Sequence, residues 1–245
     1  MLFVTGDCHG DFRRFSTRAF PKQKELIRGD YVLILGDFGG LWDGSRGEER
    51  RLDDLAKRNP TFLFIDGNHE NYDLLEQYPT VFWKGGVAHC IRDNVFHLCR
   101  GHVFSLSGRR VLALGGAQTH DAEVILPRGS GRADRRPLDY RQIPYRVEGS
   151  SWWPRELPDG LEYSRCIAAL NREDWSVDLV LSHCAPTDIQ RRIAPNYPVN
   201  QLTDYLQTVK DRLMYRQWYC GHYHKTIHMA DERFHVVGEE IIPVE

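Results

Sequence analysis

The sequence predicts an α/β protein built on two β-sheets, and three observations carry that expectation. First, a short apolar run ending in a glycine turn recurs three times: Phe3 and Val4 lead into GDCHG (Gly6 to Gly10), Tyr31 to Leu35 into GDFGG (Gly36 to Gly40), and Phe62 to Ile65 into GNHE (Gly67 to Glu70). Second, Asp7 to Asp37 is 30 residues and Asp37 to Asn68 is 31, the length of a strand–helix–strand unit. Third, the texture changes between residues 81 and 115 to short strands, with a hairpin expected where 103–106 turns at Ser107 and Gly108 into 111–114.

The early strands are continuously apolar, which requires a sheet covered on both faces. Amphipathic stretches over 48–58, stopped by Asn59 and Pro60, and over 70–78, stopped by Pro79, predict helices between them. Further on, 161–173 reads as a helix, 177–181 as a buried strand ahead of SHCAP (Ser182 to Pro186), and 200–213 as an amphipathic helix. The tail alternates like strands over 217–229 and 233–237, with GHYH (Gly221 to His224) inside the first. No composition break divides the chain, so one domain over residues 1–245 is expected. Its exception is an Arg-, Gly- and Pro-rich insert at about 116–160, aperiodic and therefore read as a long loop.

Composition sets limits. With 245 residues, 41% hydrophobic, 27% charged and a formal net charge of −2, the chain has material for a core and no global pull toward polyanions. No apolar run approaches the roughly 20 residues of a membrane span, and the first residues read as a strand instead of a cleavable leader. Six cysteines without zinc-knuckle or CxxC spacing fit free thiols in a reducing cytoplasm. Cys8 is expected to point away from the face that Asp7 and His9 share.

The five motifs together offer Asp7, His9, Asp37, Asn68, His183, His222 and His224 as oxygen and nitrogen donors, a set rich enough for two metal ions. Ligands of open α/β sheets gather beyond the carboxyl ends of the strands, where these motifs fall. Carboxylate, amide and imidazole donors suit Mn, with Fe, Zn or Co as alternatives, better than Ca or a thiolate-rich zinc site. A bridging carboxylate such as Asp37 would set two ions about 3.5–4 Å apart, the arrangement used for in-line phosphoryl displacement. His222 and His224, at i and i+2, are expected on one strand face.

On these motifs the chain resembles the calcineurin-like metallophosphoesterases over nearly its whole length. The resemblance implies a four-layer αββα sandwich. It also implies that Asp7, His9, Asp37 and His224 hold one ion, and that Asp37, Asn68, His183 and His222 hold the other. His69 would be the catalytic acid that protonates the leaving oxygen after attack by a hydroxide bridging the two metals. GGAQTHD (Gly115 to Asp121), Arg146 and SSWWPRE (Ser150 to Glu156) look like a single-domain bacterial and phage subgroup. The implied substrate is a phosphate ester, with a nucleotide or nucleic-acid end in view because SHCAP and GHYH are similar to the diesterase branches.

Other functions fit the sequence less well. GDFGG lacks the extra Asp and Arg of Ser/Thr protein phosphatases, which disfavours a protein-phosphatase-like monoesterase. A silent protein-binding scaffold, as in the retromer subunit of this fold, loses ligands that this chain keeps. Non-catalytic nucleic-acid binding finds no motif or basic surplus, and no protein partner is readable. Arg146, Trp152 and Trp153 are candidate substrate contacts, since arginine forks suit phosphate and indoles stack bases. The rest of the insert's arginines also read as a solvated surface. His89, His97, His102, His228 and His235 read as hydrogen-bonded structural residues, and His120 matches no ligand motif.

Overall fold

Fifteen strands and six α-helices are described in the computed structural model, which covers residues 1–244. In chain order they are β1 (Leu2–Thr5), β2 (Tyr31–Leu35), α1 (Arg46–Ala56), β3 (Thr61–Ile65), α2 (Tyr72–Leu75), β4 (Thr80–Trp83), β5 (Gly86–Arg92), β6 (Val95–Leu98), β7 (His102–Leu106) and β8 (Arg109–Leu114). Then follow β9 (Val124–Leu126), α3 (Arg132–Arg141), β10 (Tyr145–Val147), α4 (Gly160–Arg172), β11 (Ser176–Ser182), α5 (Thr187–Ile193), α6 (Gln201–Arg212), β12 (Met214–Cys220), β13 (Ile227–Met229), β14 (Phe234–Val236) and β15 (Ile242–Pro243).

Two mixed sheets form, ordered β15-β1-β2-β3-β6-β5-β4 and β13-β14-β12-β11-β8-β7. In the first, β1, β2, β3 and β6 are parallel; in the second, β8, β11, β12 and β14 are parallel. Antiparallel strands close the edges, including β7 on β8, the hairpin expected from the sequence. The sheets bury Leu33, Leu63, Leu98, Phe104, Ala113 and Leu181 between them. A second apolar layer, with Phe15, Leu52, Phe62 and Phe64, covers the outer face of the first sheet under α1 and α2. A third, with Leu170, Ile189, Leu206 and Trp218, lies between the second sheet and α4, α5 and α6. This is the expected four-layer αββα order: each sheet is apolar on both faces because each is covered twice.

Several local expectations are corrected. The crossover from β1 to β2 contains only two short 3₁₀ turns, Arg13–Phe15 and Pro21–Glu25. The helix expected over 70–78 shrinks to the single turn α2: Asn71, accepting from the Leu74 N–H, caps its start at Tyr72, and it ends at Leu75. The strand expected over 217–229 stops at Cys220: His222 and His224 adopt φ of 67° and 49°, left-handed values that break a strand. They therefore sit on a loop, not on one strand face. The insert is not a plain loop either. It holds a two-stranded parallel ribbon of β9 and β10 and the ten-residue α3, which buries no residue and so gave no apolar period to read.

Candidate metal centre

The parallel strands of both sheets point their carboxyl ends at one edge, and backbone hydrogen bonds stitch those ends together. Cys8 and His9 donate their N–H groups to Asp37 O at 3.0 and 2.8 Å, and Gly221 N donates to His183 O at 3.1 Å. Glycine is required where the motifs touch: a Cβ on Gly67 would stand 2.0 Å from Asp37 Oδ1, and one on Gly36 2.1 Å from His183 Nδ1. Phe38 anchors the GDFGG turn, stacking its buried ring on Phe64 at 4.1 Å. Burial of such a ring contributes about 1.5–3 kcal/mol. Four of the site residues, His9, Asp37, His222 and His224, hold positive φ, a strain that clusters at functional sites.

Around this edge the chain gathers its donors. His183 Nε2 lies 3.3 Å from Asp37 Oδ1, and His183 Nδ1 lies 3.9 Å from Asp7 Oδ1. His9 Nε2 is 3.9 Å from Asp7 Oδ2 and 3.8 Å from Asp37 Oδ2, and His224 Nε2 is 3.5 Å from Asp7 Oδ2. Asp7, His9 and His224 form one group whose ligand atoms lie within 4.8 Å of one another, and Asp7, Asp37 and His183 form another. The His222 ring stands 4.9 Å from that of His183. Asp7, Asp37, Asn68, His183 and His222 are buried, whereas His9 and His224 are exposed at the rim.

The buried polar groups are oriented, not merely enclosed. Asp7 Oδ1 accepts from the His222 N–H at 2.8 Å, and Asp37 Oδ1 accepts from the His69 N–H at 2.8 Å. His183 Nδ1 faces Leu35 O at 2.7 Å, so the tautomer protonated there leaves a bare lone pair on Nε2. Asp7 Oδ2, Asn68 Oδ1 and His183 Nε2 are buried without a hydrogen-bond partner. Such orphaned acceptors cost about 1–3 kcal/mol each, and a divalent cation satisfies an oxygen and nitrogen set of this kind. The residues present therefore fit the metal.

Electrostatics agree. Burial disfavours charge on His183, but Asp37 and Asp7 outweigh it and lift the imidazole to about 10, so that without a cation a proton on Nε2 takes its place beside the carboxylates. Burial likewise opposes ionisation of Asp37, yet His183 and His69 hold it far below the usual carboxylate range. His222 is pushed well below the ordinary histidine value by burial and by the neighbouring His183, which keeps its lone pair available. The site is thus a buried anionic hole lined by imidazoles.

The catalytic candidate His69 is half-buried, edge-on to His9 at 5.4 Å. Burial holds its proton affinity below the ordinary histidine value, Asp37 opposes that, and Arg146 and His9 on one side outrank the weaker pull of Asp121 on the other. Asp121 is in turn paired with Arg146. Sequence reasoning left the acid near His69 unidentified. The acid in direct reach is Asp37, whose Oδ1 accepts from the His69 N–H, and Asp121 in the insert acts on it more weakly. Glu70 was also missed: its buried carboxylate accepts from the Phe38 and Gly39 N–H groups at 2.7 and 3.4 Å and fixes the GDFGG turn. Burial and Asp37 push it up to about 8. His120 is exposed, its ring 5.1 Å from that of His222.

The substrate candidates divide. Arg146 is half-buried and tied to Asp121, and Trp152 is half-buried. Trp153 is 2% exposed and packs edge-on against Trp42 at 5.7 Å within the outer apolar layer. It has no free face to offer a base, because the segment ahead of Pro154 turns its ring into the core. A cleft of about 1070 Å³ runs from His9 and Gly39 past Trp42 to Arg13, Arg18, Arg51 and Arg58.

A family model of calcineurin-like phosphoesterases matches residues 2–226. The chain belongs to that family. Among solved structures, the crystal structure of phosphopantetheinyl hydrolase (PptH) from Mycobacterium tuberculosis is similar at 16% identity, covering 97% of this chain and 89% of that one with a TM-score of 0.43. No curated protein matched the sequence. Membership in the calcineurin-like phosphoesterases supports phosphoester hydrolysis in general. No helix among the described residues is long and apolar enough to cross a membrane.

Proposed function

We infer that the chain is a single-domain phosphoesterase that holds two divalent cations, with manganese the leading candidate, and that it prefers phosphodiesters. The observation carrying this reading is the convergence of three buried, unpartnered acceptors, Asp7 Oδ2, Asn68 Oδ1 and His183 Nε2, at the edge where both sheets end. Asp7, His9, Asp37 and His224 would hold one cation, and Asp37, Asn68, His183 and His222 the other. Bound there, divalent ions supply Lewis-acid stabilisation of a phosphoryl group and a more acidic water. The chain's own residues do the rest. Asp7 and Asp37 each spend one oxygen on a backbone N–H, which fixes the direction of the other. His69, half-buried beside His9, donates a proton to the departing oxygen.

Two features favour a diester. The SHCAP and GHYH motifs are similar to diesterase branches of the family, and the cleft beside His9 has room for a second substituent on a phosphate. A nucleotide or nucleic-acid end is the substrate class proposed, in the cytoplasm, where free thiols persist.

The test is hydrolysis of bis-p-nitrophenyl phosphate against p-nitrophenyl phosphate by manganese-loaded protein, with Asp37→Asn as blank. Faster turnover of the diester is expected. Faster turnover of the monoester would overturn the diester preference, and metal-loaded protein inert on both would overturn the enzymatic reading.

A further inference from the structure

A second cluster of metal-binding side chains stands apart from the strand-end centre, on the outer face of the first sheet. β5 and β6 pair antiparallel with His89 opposite His97, and Cys99 follows two residues later on the same face. His89 Nδ1 lies 3.0 Å from His97 Nδ1 and 3.6 Å from Cys99 Sγ. The three donor atoms lie within 4.8 Å of one another. Zinc bonds of about 2.0–2.1 Å to nitrogen and about 2.3 Å to sulfur, at tetrahedral angles, separate two nitrogens by about 3.3 Å and a nitrogen from a sulfur by about 3.6 Å. The nitrogen-to-sulfur spacing matches that template, and the two nitrogens stand slightly closer than it asks.

The surroundings are those of a built site. His97 Nε2 faces Asp66 Oδ1 at 3.0 Å, and Asp66 is 1% exposed. Asp66 is fixed by Arg100, whose Nε donates to Oδ2 at 2.7 Å, and by the Tyr72 hydroxyl at 3.0 Å. A carboxylate behind an imidazole commits one ring nitrogen as donor and frees the other as ligand, the arrangement found behind metal-bound histidines. The freed nitrogen, Nδ1, is the one that faces His89. Beside the three donors opens a cavity of about 330 Å³ lined by His102, Arg100, Glu76 and Glu162, with room for a fourth ligand.

We propose that His89, His97 and Cys99 form a separate site for one zinc-class divalent ion, held by two imidazoles and a thiolate and oriented by Asp66. Mixed imidazole and thiolate donors select borderline-soft ions, unlike the oxygen-rich strand-end centre. The position gives the ion a route to the chemistry. Asp66 immediately precedes the GNHE turn, its carbonyl accepts from the Gly116 N–H at 2.8 Å, and Tyr72 bridges it to Gly67 O at 2.6 Å. An ion on His97 therefore braces the turn that carries Asn68 and His69.

Cobalt loading separates the two sites, because a thiolate-to-cobalt charge-transfer band requires a sulfur ligand and the strand-end set has none. The expected result is a band in wild-type protein that Cys99→Ser abolishes together with one equivalent of bound metal, that His89→Gln abolishes or greatly weakens, and that Asp37→Asn retains. A wild-type protein without the band, or a band that survives Cys99→Ser, overturns the proposal. Wild-type protein alone gives a further check that needs no variant to fold: zinc should slow alkylation of Cys99 by iodoacetamide on the order of tenfold. Equal rates with and without zinc overturn the site whatever the strand-end centre does.

Discussion

The strand-end cluster and the insert lie side by side and are held by opposite means. At the cluster, carboxylates and imidazoles are buried, their spare atoms fixed by backbone N–H and C=O groups from three other motifs. In the insert, the Gly116 N–H and the buried Trp153 anchor the two ends, but between them α3 buries nothing and the ties are side-chain ion pairs at the surface, such as Arg128 with Asp73. Exposed pairs contribute about 0–1 kcal/mol each. The difference teaches where precision resides: the cluster is determined by main-chain geometry, whereas the insert is attached to it by adjustable contacts.

Substitutions should break along that line. Asp37→Asn should have the largest effect, a loss of turnover of about 10²–10³-fold, the scale of removing an electrostatic stabiliser from an active site; assays on the aryl diester read it directly. His69→Ala should cost about 10²–10⁴-fold in turnover with bound metal unchanged by elemental analysis, and metal loss in that variant would recast His69 as a ligand. Glu70→Ala should destabilise the fold by about 1–3 kcal/mol for each N–H it orphans at Phe38 and Gly39, seen in urea unfolding.

The insert should respond less. Asp121 is held below its ordinary value of 3.8, since Arg146 outweighs the cost of its partial burial. A depressed carboxyl contributes its stability above 3.8 and loses it as pH falls through the folded value. Amide exchange at Tyr145–Val147, corrected for its intrinsic pH dependence, should therefore accelerate below about pH 4, and Arg146→Ala should remove that response. Smallest of all, replacing Arg132, Arg135 and Arg136 with alanine should shift stability by no more than about 0.5 kcal/mol and leave KM unchanged. A marked rise in KM would bring the insert into substrate capture and erase the contrast.

The same contrast explains what could be read in advance. GDCHG, GDFGG, GNHE and SHCAP were legible because each is a local signal, a glycine turn ending an apolar strand, and the family resemblance supplied the pairing between them. The sandwich followed from apolar runs that need cover on both faces. Other features depend on partners far away in sequence. Trp153 looked like a stacking platform until Trp42 was seen to cover it. His222 and His224 left the strand because of backbone angles that no side-chain pattern records. His89 and His97 looked like isolated structural histidines because only the β5–β6 register sets them opposite each other.

The hydrogen bond from His222 N to Asp7 Oδ1 spans 215 positions of the chain. A loop of that size closes late, since its entropic cost falls before any contact repays it. Until residues 222–224 are made, Asp7 has neither the amide that aims it nor the two imidazoles that complete its surroundings. Assembly of the centre therefore waits until GDCHG and GHYH, at opposite reaches of the sequence, have both been made and brought together.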